Sequence, residues 1–192
     1  YENCRGIFCV SQEEAKVLEQ LYPKLHVTWL PVPIKLNVSN VHRDISKPII
    51  AFSGSMYLPN NIEAATWFAY KVFPEVLRAV PDAEFWIIGR KPAKSVQKLG
   101  LLENIRVTGE VANVHQLLLD ARVVVAPLFH GAGVKVKVLE AIGLGKFVIG
   151  SHHAIEGTGL INGKHVLVSD DPEVLAKWCI EALRDPNAFN DI

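Results

Sequence analysis

From Ile49 onward, short runs rich in Val, Ile and Phe alternate with longer segments of helical period, and this alternation constrains the fold of the 192-residue chain most strongly. The strand-like runs are Ile49 to Ser53, Glu84 to Gly89, Asn104 to Thr108, Arg122 to Pro127, Lys146 to Ser151 and His165 to Ser169. Amphipathic stretches lie between them: Ile62 to Val80, Ala93 to Leu99, Val114 to Asp120, Val134 to Gly143 and Pro172 to Arg184. Parallel strands need crossovers, and right-handed helical crossovers cover both faces of the sheet they connect. The pattern therefore predicts an α/β fold, a doubly wound Rossmann-like parallel sheet over 48–192. With 49% hydrophobic residues the chain can bury a core of that kind.

Upstream, Gly6 to Val10 and His26 to Leu30 are strand-like and flank a helical segment from Gln12 to Leu21, opened by Ser11 and Glu14 at capping-box spacing. This β-α-β piece, 1–33, is too small to hold a core alone. Residues 34–47 are polar and aperiodic and end at Pro48, as an interdomain linker would. The exposed strand edges of 1–33 are expected to find a partner, a second copy of the chain being one.

Twenty basic residues balance twenty acidic ones, so net charge calls for neither nucleic acid nor an anionic membrane. No apolar run is long enough to span a bilayer and the first residues do not resemble a secretory signal, so the expected location is cytoplasmic, with any membrane association peripheral. Cys4, Cys9 and Cys179 lack Cys-x-x-Cys spacing, which predicts reduced thiols and no zinc site. No metal is expected elsewhere, because the adjacent His152 and His153 have no completing ligand set.

Ligands of doubly wound sheets bind beyond the carboxyl ends of the strands, so the residues that follow each strand are the candidates for function. The first strand leads into Gly54-Ser55 and then Asn60 and Glu63, again at capping-box spacing. The second ends at Gly89-Arg90 and the third leads to Val111. After the fourth, Gly131 and Gly133 open a turn into a helix whose start carries Lys135 and Lys137. Cations there oppose the helix macrodipole, and a bound diphosphate would favour them. Lys137 and Glu140 are three residues apart, on one helical face, and could reach the phosphate and ribose of one nucleotide; an ordinary surface ion pair has the same spacing.

The stretch Ile49 to Arg184 resembles the donor-binding domain of family 4-type retaining glycosyltransferases, the glycosyl transferases group 1. Phe-Ser-Gly-Ser, Pro-Asn-Asn-Ile-Glu-Ala, Pro-Asp-Ala-Glu-Phe-Trp-Ile-Ile-Gly-Arg, Gly-Ala-Gly-Val-Lys-Val-Lys-Val-Leu-Glu-Ala and Ile-Glu-Gly carry it in order. The resemblance implies one half of a GT-B fold, with 1–33 the end of the partner domain. It implies a nucleotide-diphosphate-sugar donor, no further cofactor, and an acceptor glycan, lipid-linked or protein acceptor held by the other domain, so that this chain alone would be inactive. Residue by residue it assigns Glu140 to ribose, Lys137 to stabilising the leaving diphosphate, Lys135 to a compensating charge, Gly54, Ser55 and Gly133 to backbone approach, and Arg90 and Val111 to the base.

Two departures from the pattern stand out. Ala132 occupies the place, eight residues before Glu140, where the family often has a glutamate for the donor sugar, and Ser55, Met56 and Tyr57 replace the usual basic residues. A nucleotide-sugar 2-epimerase half and a non-catalytic binding domain are the alternatives. NAD-dependent oxidoreduction is disfavoured because no Gly-x-Gly-x-x-Gly follows the first strand.

Overall fold

A computed structural model describes residues 4–36, 47–189 and 192. Strands β3 (Ile49–Ser53), β4 (Glu84–Ile88), β5 (Ile105–Gly109), β6 (Val123–Ala126), β7 (Phe147–Gly150) and β8 (Leu167–Val168) form one sheet in the order β5-β4-β3-β6-β7-β8. Every pairing in it is parallel. This is the doubly wound arrangement that the alternation predicts, with its strand order reversing between β3 and β6. All of β3 and β6 is buried, which is why they read as continuous apolar runs rather than alternating ones.

The crossovers are α2 (Pro59–Trp67), α3 (Phe73–Ala79), α4 (Lys94–Leu99), α5 (Val114–Asp120) and α6 (Val136–Gly143), and α7 (Pro172–Arg184) follows β8. Helix α7 returns to pack on α3, while α5 and α6 pack against β3 and β7. The predicted single helix over 62–80 is two helices that join through a π-helical turn, Phe68–Val72. Pro74 supplies the reason: it has no N–H and its ring clashes with the preceding turn, so the chain widens, and α3 restarts with Pro74 in its first turn. Phe68, Phe73 and Phe85 are nearly fully buried there, with ring centroids of Phe68 and Phe85 4.7 Å apart.

The N-terminal piece has β1 (Gly6–Cys9) parallel to β2 (His26–Trp29), joined by α1 (Gln12–Leu21). Ser11 caps α1 by accepting from the Glu14 N–H at 3.3 Å, but its hydroxyl donates to Glu13 at 2.8 Å, so the reciprocal half of the box is replaced. Phe8, Trp29 and Leu30 stay exposed, as a two-stranded sheet with one helix cannot cover them. Residues 34–36 run along the end of α6, where a side chain at Gly143 would touch Leu36 and Ile34. The rest of the expected linker, 37–46, lies outside the described residues.

Cys9 and Cys179 are buried free thiols and Cys4 is an exposed one; burial pushes the Cys179 thiol up, well away from reactivity. Among the described residues no helix is long and apolar enough to cross a membrane, and no group of three or more His, Cys, Asp and Glu side chains is assembled.

Candidate functional site

The reversal of strand order between β3 and β6 leaves a crevice above their carboxyl ends, because the adjoining crossovers leave on opposite faces. A cavity of about 410 Å³ lies there. Ser53, Gly54 and Ser55 line it from β3, Gly89 and Arg90 from β4, Glu110 and Val111 from β5, Val114 and His115 from α5, and Lys137 and Glu140 from α6. Six of the sequence-predicted residues, Gly54, Ser55, Arg90, Val111, Lys137 and Glu140, therefore share one wall system.

The floor is made by close backbone packing. The Gly54 N–H donates to the Ile88 carbonyl at 3.0 Å, so this amide is already used and Gly54 contributes space rather than a donor. A Cβ at Gly54 would stand 2.8 Å from both Asn61 Nδ2 and Lys137 Nζ, and one at Gly89 would stand 1.7 Å from the Gly54 carbonyl oxygen. Met56 N–H then donates to the Arg90 carbonyl at 3.0 Å, which ties the β3 and β4 loops together. The Arg90 guanidinium is exposed and lies 6.0 Å from the Tyr57 ring centroid.

Lys137 carries the positive charge of this cavity's inner wall. Its ammonium donates to Asn61 Oδ1 and lies 4.8 Å from the centre of the Phe52 ring. Burial, then repulsion from Lys135, hold its pKa down to about 8, and Glu140 offsets part of that. An ammonium so placed gains from an anion more than a fully solvated one does, because part of its own hydration is already lost. One turn further along α6, the half-exposed Glu140 has Oε1 3.6 Å from His115 Nε2.

Lys135 and Gly133 are not at the cavity wall. Lys135 is buried, and its ammonium donates to the carbonyls of Gly131 at 2.6 Å and Gly133 at 2.7 Å. Gly131 and Gly133 have φ of +116° and +76°, which glycine adopts without strain. His153 Nε2 lies 2.8 Å from the Gly131 carbonyl oxygen, and His130 Nδ1 2.9 Å from the Glu63 carboxylate. The turn that delivers α6 is thus held from three sides, and Ala132 sits exposed at its tip.

Asn60 does not cap α2. The helix begins earlier, with Pro59 in its first turn and Leu58 at the cap, and Asn61 rather than Asn60 reaches the site. His115, which lines the cavity, and Asn61, which lies behind its wall and holds Lys137, are residues that sequence reasoning missed; the Pro-Asn-Asn block and the start of the helix after β5 were the available signals. A second cavity of about 410 Å³ lies at the opposite end of the sheet, beside Arg122, Lys146 and the stacked Phe147 and Phe189. Lys146 donates there to the Leu119 and Ala121 carbonyls and Arg122 to that of Leu183, so these cations bind the protein's own backbone.

Residues 47–185 match the protein family described as Glycosyl transferases group 1. A Klebsiella pneumoniae protein, an uncharacterized 44.6 kDa protein in the cps region, is 26% identical over 85% of this chain and 45% of its own length. The chain therefore spans less than half of that relative. Among solved structures, a point mutant of S. aureus TarM in complex with fondaparinux, alpha-GlcNAc-glycerol and UDP superposes with a TM-score of 0.77 at 13% identity, over 99% of this chain and 39% of TarM. Anabaena HepE in complex with UDP and glucose gives 0.71 at 13% identity, over 98% and 56%. The C-terminal domain of LpcC from Francisella tularensis gives 0.55 at 15% identity, over 75% and 79%. These likenesses establish the GT-B half-domain fold.

Proposed function

The chain belongs to the glycosyl transferases group 1, and we propose that it is the donor-binding half of a retaining enzyme that uses a nucleotide-diphosphate sugar. One observation carries this reading: Lys137 and Glu140 project from one face of α6 into the same cavity at the strand-order reversal. A carboxylate accepts from ribose hydroxyls and an ammonium donates to diphosphate oxygens, and these two are spaced for neighbouring parts of one nucleotide.

The role of each residue follows from its place. Lys137 faces the diphosphate and stabilises the charge that grows on it as the bond to the sugar breaks, an effect strengthened by burial. Glu140 holds the ribose, with His115 beside it. Val111 and Arg90 flank the base. Ser55 and Gly54 let the phosphates approach β3 closely. Lys135 and Gly133 act at one remove, by shaping the turn into α6. In the longer protein an N-terminal partner domain, to which 1–33 belongs, brings the acceptor glycan, lipid-linked or protein acceptor to the cleft, so this chain alone does not transfer sugar.

The exposed Ala132 favours a second reading, a domain that binds nucleotide sugar without transferring it. Calorimetric titration with UDP, GDP and ADP tests the shared part of both readings, using Lys137→Ala and Glu140→Ala as controls. UDP comes first because the TarM and HepE crystals hold it. Binding lost in both variants supports the donor site, and millimolar nucleotide without heat sinks it. Transfer by the full-length protein separates enzyme from binding domain.

A further inference from the structure

Asn61 lies in the first turn of α2, and it is only 3% exposed, unusual for a side chain with two polar ends. Both ends are used. Its Nδ2 donates to the Ser55 carbonyl at 3.0 Å, and its Oδ1 accepts from the Lys137 ammonium. The orientation of the amide follows from these partners, because a carbonyl only accepts and an ammonium only donates. Gly54 closes the arrangement, since a Cβ there would press at 2.8 Å on both Asn61 Nδ2 and Lys137 Nζ.

We propose that Asn61 is a positioning residue for Lys137: its neutral amide fixes the ammonium at the cavity wall and leaves its charge for the donor diphosphate. The proposal rests on the reading of Lys137 as diphosphate ligand and deepens it. Neutrality is the chemical point. An amide oxygen takes one of the three ammonium protons and leaves two for phosphate oxygens, whereas a carboxylate in the same place would pair the cation and compete with the anion. An apolar residue would leave the ammonium buried against the Phe52 ring with less support for its charge.

The charged groups around Lys137 are few enough for its titration to report this. Lys135 and Glu140 act on it from its own segment, and Asn61 and Phe52 touch it from α2 and β3. Arg90, Glu110 and His115 line the same cavity from β4, β5 and α5. Against the wild-type value of about 8, Asn61→Asp is expected to raise the Lys137 pKa and Asn61→Leu to lower it. Both should weaken UDP about tenfold near neutral pH, for opposite reasons.

The experiment follows Lys137 in ligand-free protein carrying ¹³C-lysine, with its resonance assigned through Lys137→Arg, and measures UDP affinity by calorimetry on the same samples. Opposite titration shifts in the two variants support the proposal; an unchanged titration in both overturns it. Loss of one packing contact would not move the two variants in opposite directions. If Asn61→Leu does not fold, the nearly isosteric Asn61→Asp decides alone, by an upward shift or its absence. UDP that fails to bind wild-type protein sinks the donor-site reading, while the ligand-free titration still judges the hold of Asn61 on Lys137.

Discussion

His115 Nε2 stands 3.6 Å from Glu140 Oε1, so the helix after β5 meets the helix after β6 at the wall of the cavity. The contact places a partner for the carboxylate beside the atoms that the proposed ribose would use. Glu140→Gln keeps the shape of the side chain and removes its charge. It is expected to weaken nucleotide about 10- to 100-fold, the range for hydrogen bonds to a charged group, with little change in stability. His115→Gln should weaken it less. Calorimetry checks both, and equal affinity in Glu140→Gln and wild type would remove Glu140 from the site.

A partly desolvated cation is a cost to the fold, and Lys137 is expected to show it. Its folded pKa of about 8 lies below the usual lysine value, so between pH 8 and about 10.5 the unfolded chain binds more protons and stability from this group rises with pH. Below pH 8 the cost is fully present, about 3 kcal/mol from the size of the shift. Lys137→Met removes it but leaves Asn61 Oδ1 without its donor, about 1 kcal/mol in the other direction. The variant should therefore be about 1–2 kcal/mol more stable at pH 7 and should lose nucleotide binding. Urea unfolding at pH 7 and pH 9.5 tests this, with the gain shrinking at the higher pH. A variant less stable than wild type at pH 7 would contradict it.

The sheet was legible because its central strands are buried on both faces and announce themselves as apolar runs, Ile49 to Ser53 the clearest. Helix boundaries near proline were not. The pattern from Ile62 to Val80 keeps its period through Pro74, and only the chain's need to avoid a clash produces the π-helical turn. Within the site, the α6 motif disclosed Lys137 and Glu140 because one helical period joins them. Asn61 remained hidden: its contact with Lys137 crosses 76 residues of sequence, and no local spacing encodes that. The two lysines of the motif read alike, and what separates them is which carbonyls the turn presents to Lys135.

Gly89→Ala tests the floor of the cavity. The added Cβ would lie 1.7 Å from the Gly54 carbonyl oxygen, which is backbone and cannot rotate away. The ends of β3 and β4 must then separate, at a cost of roughly 2–4 kcal/mol, at the upper end of the usual range for a point substitution. Denaturant unfolding should show this loss. A change within about 0.5 kcal/mol would mean that the two loops part easily.

Lys135→Met is expected to reverse the sign seen at Lys137. The Lys135 ammonium is buried, yet it donates to two carbonyls, Gly131 and Gly133, that the tight turn aims at one point. Burial lowers its pKa as well, with Glu156 acting against that. Removing the ammonium strips a charged donor from both carbonyls, and His153 is placed to serve only the one on Gly131. The loss should be about 2 kcal/mol, within the range for a charge-assisted bond. Because the turn delivers α6, nucleotide affinity should fall with it, although Lys135 does not line the cavity. Unfolding and calorimetry on Lys135→Met and Lys137→Met side by side check the contrast: one variant less stable, the other more stable, both weaker binders. If both lost stability, Lys137 would be a second structural lysine, and the diphosphate would have to be held elsewhere.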